Sequence, residues 1–209
     1  MLLALIILYV ITLINLALVE RFRKYASIIT IQGWLLLGIA LLRLHSLDWL
    51  ELSFIVLETL IFKAIIVPHI LMSVIKKTKI NRVKTSGTSQ FNALILSFVA
   101  LIVSAITTYL VADSSIHMLF FGVAMYALLS GLILIVLRSR IFTHMVGFLI
   151  IENGVFLFSM AIGVEMPMLI NAAIMLDILM SVLMLSLFMT KVDDKIHTDD
   201  SDSLTHVKD

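Results

Sequence analysis

Residues 143–164 read THMVGFLIIENGVFLFSMAIGV, 22 residues in which Glu152 is the one acid and no Lys or Arg occurs. At 1.5 Å of rise per residue such a run spans roughly 30 Å as a helix, the thickness of a bilayer's hydrocarbon core. A second acid, Asp177, holds the matching place in the next apolar run, Met168 to Met189. An ionisable side chain at that depth costs about 2.5–3.5 kcal/mol on insertion scales, so such residues are rare and usually have a task. Desolvation also favours the neutral acid, which brings proton exchange toward physiological pH. Two carboxylates at mid-depth on adjacent spans therefore suggest ion or proton handling. The alternative is that each carboxyl hydrogen-bonds a neighbouring helix and fixes packing.

Working outward, the whole chain has the composition of a polytopic membrane protein. Of its 209 residues 61% are hydrophobic and 14% charged, and the mean hydropathy is +1.14; in soluble domains roughly a quarter of residues are charged. Seven apolar runs are long enough to span: Leu2 to Val19, Ala26 to Leu42, Leu50 to Ile75, Phe91 to Ala112, Met118 to Leu137, Thr143 to Val164 and Met168 to Met189. The first follows Met1 with no basic segment before it and no small-residue cleavage site before Glu20, so it reads as a retained helix. There is no cysteine, which excludes disulfides and thiolate-bound iron-sulfur or zinc centres within the chain. No phosphate loop, nucleophile constellation or metal-ligand spacing is present either. The sequence offers no catalytic centre of its own.

Charge in the connecting segments fixes an expected topology. Arg21, Arg23 and Lys24 follow the first run; Lys76, Lys77, Lys79, Arg82 and Lys84 the third; Arg138 and Arg140 the fifth; Lys191 and Lys195 the seventh. The alternate loops carry Arg43, His45, Asp48, Asp113, His117 and Glu165. The positive-inside rule puts the basic set in the cytoplasm, with the N-terminus outside and the C-terminus inside. The tail after Met189 holds six Asp against Lys191, Lys195 and Lys208 without apolar period, and reads as disordered.

A weak internal repeat organises the spans. Gln32 and Glu152 are 120 positions apart, and Glu58 and Asp177 are 119 apart. The expected architecture is all-α, with two parallel three-helix repeats joined by a fourth helix. The units are residues 1–77, a basic cytoplasmic loop 78–90, a linking span 91–112, a second three-helix unit 113–190 and the tail 191–209. Gln32 replaces an acid in the first unit and cannot carry a proton there.

Further polar residues lie in or beside the spans. Glu58 and Lys63 are five positions apart, about 140° around a regular helix, and so are not an ideal intrahelical pair. Pro68 cannot donate to the carbonyl of Ala64, which opens the helix locally. Lys63 then either joins a polar path with Glu58 or snorkels toward the cytoplasmic face or a partner's acid. His69 could join that path or bond backbone near the kink. His144, at the start of its span, is a proton entry or an interfacial residue. The methionines read as gap filling.

The segment Gly131-Leu-Ile-Leu-Ile-Val-Leu-Arg138-Ser-Arg140, followed by Gly147-Phe-Leu-Ile-Ile-Glu152-Asn153-Gly154, resembles the loop and second helix of the three-helix K subunit of respiratory complex I and of that subunit's counterpart in Mrp-type antiporters. The whole chain to about residue 190, including Glu58-Thr-Leu-Ile-Phe-Lys63 with Pro68 and the run to Leu176-Asp177, resembles hydrogenase-4 component E. That resemblance implies a non-catalytic subunit of an energy-converting nickel-iron hydrogenase or formate hydrogenlyase complex in a prokaryotic inner membrane. It implies a proton or sodium path through Glu152, Asp177, Glu58, Lys63, His69 and His144. The implied partners are antiporter-like membrane subunits, a quinone-site-like membrane subunit and a peripheral hydrogenase arm, whose nickel-iron and iron-sulfur centres lie outside this chain. Nucleic acid is not among them. Two other readings stay open: a structural spacer of the membrane arm, and an Mrp-type cation/proton antiporter subunit.

Overall fold

The structure is a computed structural model and describes residues 1–43, 53, 58–78, 90–111, 116–138 and 141–162. Those residues form six helices: α1 (Leu2–Leu18), α2 (Phe22–Arg43), α3, α4 (Gln90–Leu110), α5 (Met118–Leu137) and α6 (Ile141–Ile162). Helix α3 has two parts, a π-helical stretch Glu58–Ile66 continued by the α-helical Val67–Thr78. Four helices hold stretches long and apolar enough to cross a membrane: Phe22–Leu42, Phe91–Leu110, Met118–Leu137 and Phe142–Ile162. The described residues are thus all-helical, and the chain is a membrane-embedded protein. The run Met168–Met189 with Asp177, the tail and nearly all of the basic loop lie outside the described residues.

Because nearly every position in these helices is apolar, hydropathy alone does not say which face packs inward. Packing decides it, in several helices along small and polar residues. In α1, Ile6, Tyr9, Leu13 and Leu16 are buried at helical spacing while Leu3, Ile7, Leu8 and Ile11 stay exposed. In α4 the inward stripe is Ala93, Ser97, Ala100 and Ser104, and only 22% of its span is buried. The Ser97 hydroxyl shares a 2.7 Å hydrogen bond with the Tyr126 hydroxyl on α5, a tie that lipid cannot replace. Helix α2 packs on α1, α3 and α6, and α5 packs on α4, α6 and α1. Helices α5 and α6 meet along small residues. A Cβ at Gly131 would fall 2.7 Å from the Gly147 carbonyl oxygen, and one at Gly147 would fall 2.9 Å from the Gly131 carbonyl oxygen. Only glycine permits backbones to approach so closely.

The second helix begins at Phe22, four residues before the apolar run at Ala26, because the helix continues through the exposed Arg23 and Lys24. The α1–α2 and α5–α6 turns are built alike. Val19 and Arg138 are the extended C-caps of α1 and α5. The Tyr25 hydroxyl donates to the Val19 carbonyl at 3.0 Å, and a His144 ring nitrogen bonds the Arg138 carbonyl. In each turn a side chain six residues on satisfies a carbonyl that the helix end leaves open. Val19 and Arg138, like Tyr25 and His144, are 119 positions apart. The Arg138 guanidinium is buried and reaches within 3.5 Å of the Val19 carbonyl, joining the two turns, and Phe22 packs on Phe142 beside it.

The regular-helix geometry expected for Glu58 and Lys63 does not hold. In a π-helix the hydrogen bonds run from residue i to i+5, so these two are successive along one backbone turn rather than 140° apart. The π-helical stretch ends at Ile66, and Pro68 is the second residue of the α-helical part that continues it. The proline thus follows directly on the widened turns, and a proline ring in a regular helix clashes with the carbonyl four residues back.

Candidate functional site

Glu152 lies eleven residues from Ile141 and ten from Ile162 on α6, at about the helix midpoint. Its carboxylate is 2.7 Å from the Lys63 ammonium, with the two side chains 12% and 6% exposed. The π-helical turn carries Lys63 inward rather than toward either end of α3, so it does not snorkel. The ammonium also stands 4.4 Å from the centroid of the Phe156 ring. Glu152 and Phe156 are one helical turn apart on the same face of α6, and Lys63 rests against both.

Beside this pair a separate chain of hydrogen bonds crosses the bundle. Asn153, next to Glu152 and buried, donates through Nδ2 to Gln32 Oε1 at 3.3 Å. Gln32, fully buried in the middle of α2, donates through Nε2 to Thr12 Oγ1 at 3.0 Å. Thr12 in turn donates to the Tyr9 carbonyl at 2.6 Å. Three helices are thereby joined at one depth. A small cavity of about 10 Å³, close to the room one water needs, is lined by Lys63, Glu152, Asn153, Ile29, Val67 and Leu149.

Of the six predicted site residues, the structure brings Glu152 and Lys63 together. His69 is exposed on α3 and is not among the residues lining the cavity at the pair. His144 is half-buried at the α5–α6 turn, where it bonds the Arg138 carbonyl. Glu58 opens the π-helical stretch; its side chain, like Asp177, lies outside what the structure describes. Gln32, singled out as an acid's replacement, is a link between Thr12 and Asn153. Sequence reasoning missed Thr12, Asn153 as a hydrogen-bonding partner, and Phe156. Thr12 and Asn153 had a signal, being polar in apolar runs; nothing in the sequence marks Phe156 among its 12 phenylalanines.

Among the described residues no group of three or more His, Asp or Glu is placed to hold a metal ion. Tyr9 is fully buried, and its hydroxyl makes no hydrogen bond. Removing a buried polar group that has no partner costs little and relieves its desolvation penalty. Tyr9→Phe is therefore expected to keep or raise thermal stability, by up to about 1 kcal/mol, while Tyr9→Ala costs roughly 3–5 kcal/mol through the cavity it leaves. Thermal melts in lipid nanodiscs check both; a Tyr9→Phe loss as large as that of Tyr9→Ala would show that the hydroxyl has an essential partner.

Compared with known protein families, with curated proteins and with solved structures, the chain matches none.

Proposed function

We propose that this protein is an ion-translocating subunit of a membrane complex, and that Glu152 with its counter-ion Lys63 is the charge-handling centre of its path. The single observation behind this reading is a buried Lys63–Glu152 pair, made between two helices at the midpoint of an apolar span. A buried ion pair is weak evidence for stability, since apolar residues of similar volume often do as well, whereas intramembrane ionisable groups mark ion and proton routes. The sequence resemblance supports the finer form: a hydrogenase-4 component E-like, seven-span subunit of a prokaryotic inner membrane, N-terminus outside. Redox centres then belong to its partners, namely antiporter-like and quinone-site-like subunits and a peripheral hydrogenase arm. The Asn153–Gln32–Thr12 chain favours a second reading, a structural spacer whose polar groups bind helices together.

Glu152→Gln in the assembled complex separates the two. The amide keeps size and most hydrogen bonds but cannot change charge. On the translocation reading, subunit content is normal and ion translocation per turnover falls to background; normal translocation in Glu152→Gln rules out an obligatory role.

A further inference from the structure

If Glu152 takes up a proton, the Lys63 ammonium loses its counter-ion while still buried, and an unpaired charge there is strongly unfavourable. Whether the lysine then leaves, deprotonates or stays depends on what else surrounds it. Two groups do. The Phe156 ring face is already 4.4 Å from Nζ, and a desolvated cation–π contact is among the stronger kind. The other is Asn153, which lines the same cavity as Lys63 and Glu152.

Hydrogen-bond direction decides which end of the Asn153 amide is left for that cavity. The Thr12 hydroxyl proton is committed to the Tyr9 carbonyl, so its oxygen can only accept, and it takes the Gln32 Nε2 proton. Gln32 must then present Oε1 to α6, where Asn153 Nδ2 donates to it. The Asn153 carbonyl oxygen takes no part in this chain, and Asn153 lines the cavity. Gln32 is thus a positioning residue. An acid at 32 would leave the Thr12 oxygen without a donor unless it were protonated, which accounts for an amide at this place in the fold.

We propose that Phe156, the Asn153 carbonyl oxygen and the small cavity between them form a second seat for the Lys63 ammonium, which holds the lysine inside the bundle and charged when Glu152 is neutral. The seat makes Glu152 the group that changes charge and Lys63 a fixed cation that moves a short way between two partners. The inference rests on reading Glu152 as the titrating group. Its test follows Lys63 and not translocation, so either can fail alone.

The probe is acetic anhydride, which acylates neutral amines and spares ammonium. The full chain in lipid nanodiscs is treated, and labelling of Lys63 is read by mass spectrometry against exposed Lys76. Glu152→Gln stands in for the protonated acid. Lys63 is expected to stay protected in wild type and in Glu152→Gln. In Glu152→Gln/Phe156→Leu and Glu152→Gln/Asn153→Leu it is expected to react about tenfold faster, the factor set by losing a desolvated contact of this kind, and Glu152→Gln/Phe156→Trp should restore protection. Nitrogen-15 NMR of Lys63 Nζ in the single variant should show an ammonium, a measurement that does not need the double variants to fold. Rapid labelling or a neutral amine in Glu152→Gln alone overturns the proposal, as does full protection in both double variants with Leu.

Discussion

Lys63→Met is expected to destabilise the purified chain by about 3–5 kcal/mol, the range found when one partner of a buried pair is removed. An exposed pair would contribute only about 0–1 kcal/mol. The difference follows from burial: at 6% and 12% exposure Lys63 and Glu152 are little screened by water, so the Glu152 left behind must either stay charged without its partner or take up a proton, and both cost stability. Removing both charges should reverse most of the loss. Lys63→Met/Glu152→Leu leaves two apolar side chains in contact, and such replacements are often neutral or stabilising. The double variant should therefore melt well above the single one while losing translocation. Thermal melts of the three proteins in one lipid composition decide it; equal melting of the single and double variants would mean that the pair is not isolated from water.

The glycines give the second large effect, with opposite signs at different positions. Gly131→Ala and Gly147→Ala place a Cβ within 2.7 and 2.9 Å of the facing backbone carbonyl oxygen. A carbonyl in a helix cannot turn aside as a side chain can, so α5 and α6 must separate. Overpacking of this kind costs typically about 1–3 kcal/mol, and Val in place of Ala should cost more. At Gly38 the nearest atom is the end of a flexible side chain, Leu5 Cδ1, at 3.2 Å. There the higher helix propensity of Ala should win, and Gly38→Ala should be neutral or stabilising by up to about 1 kcal/mol. Melting temperatures of the three single variants test the contrast. Tolerance of Ala at Gly131 and Gly147 equal to that at Gly38 would show that α5 and α6 can part without loss.

Why the mid-span acid was legible and its surroundings were not is a matter of period. Glu152 announces itself because one charge in 22 apolar residues needs no alignment of faces to be seen. The same uniform hydropathy hides orientation. In α6 the 3.6-residue period carries almost no polar contrast, so Phe156 looks like any other lipid-facing or core aromatic, and nothing in the sequence singles out Lys63 as the partner of Glu152. Lys63 lies in the π-helical stretch before Pro68 and meets Glu152 on a helix 89 positions away. Gln32 looks in the sequence like a lost acid, and only the Thr12 and Asn153 contacts show why an amide belongs there.

By itself the sequence determined the membrane-embedded, all-helical class and the existence of breaks after Val19 and Leu137, because apolar length and clustered basic charge are properties of the chain alone. Tertiary structure decided which polar groups meet. Those contacts depend on the rotation of each helix about its axis, and in an apolar solvent that rotation is set by glycine seams, hydrogen bonds and the local widening of one turn rather than by hydrophobic periodicity.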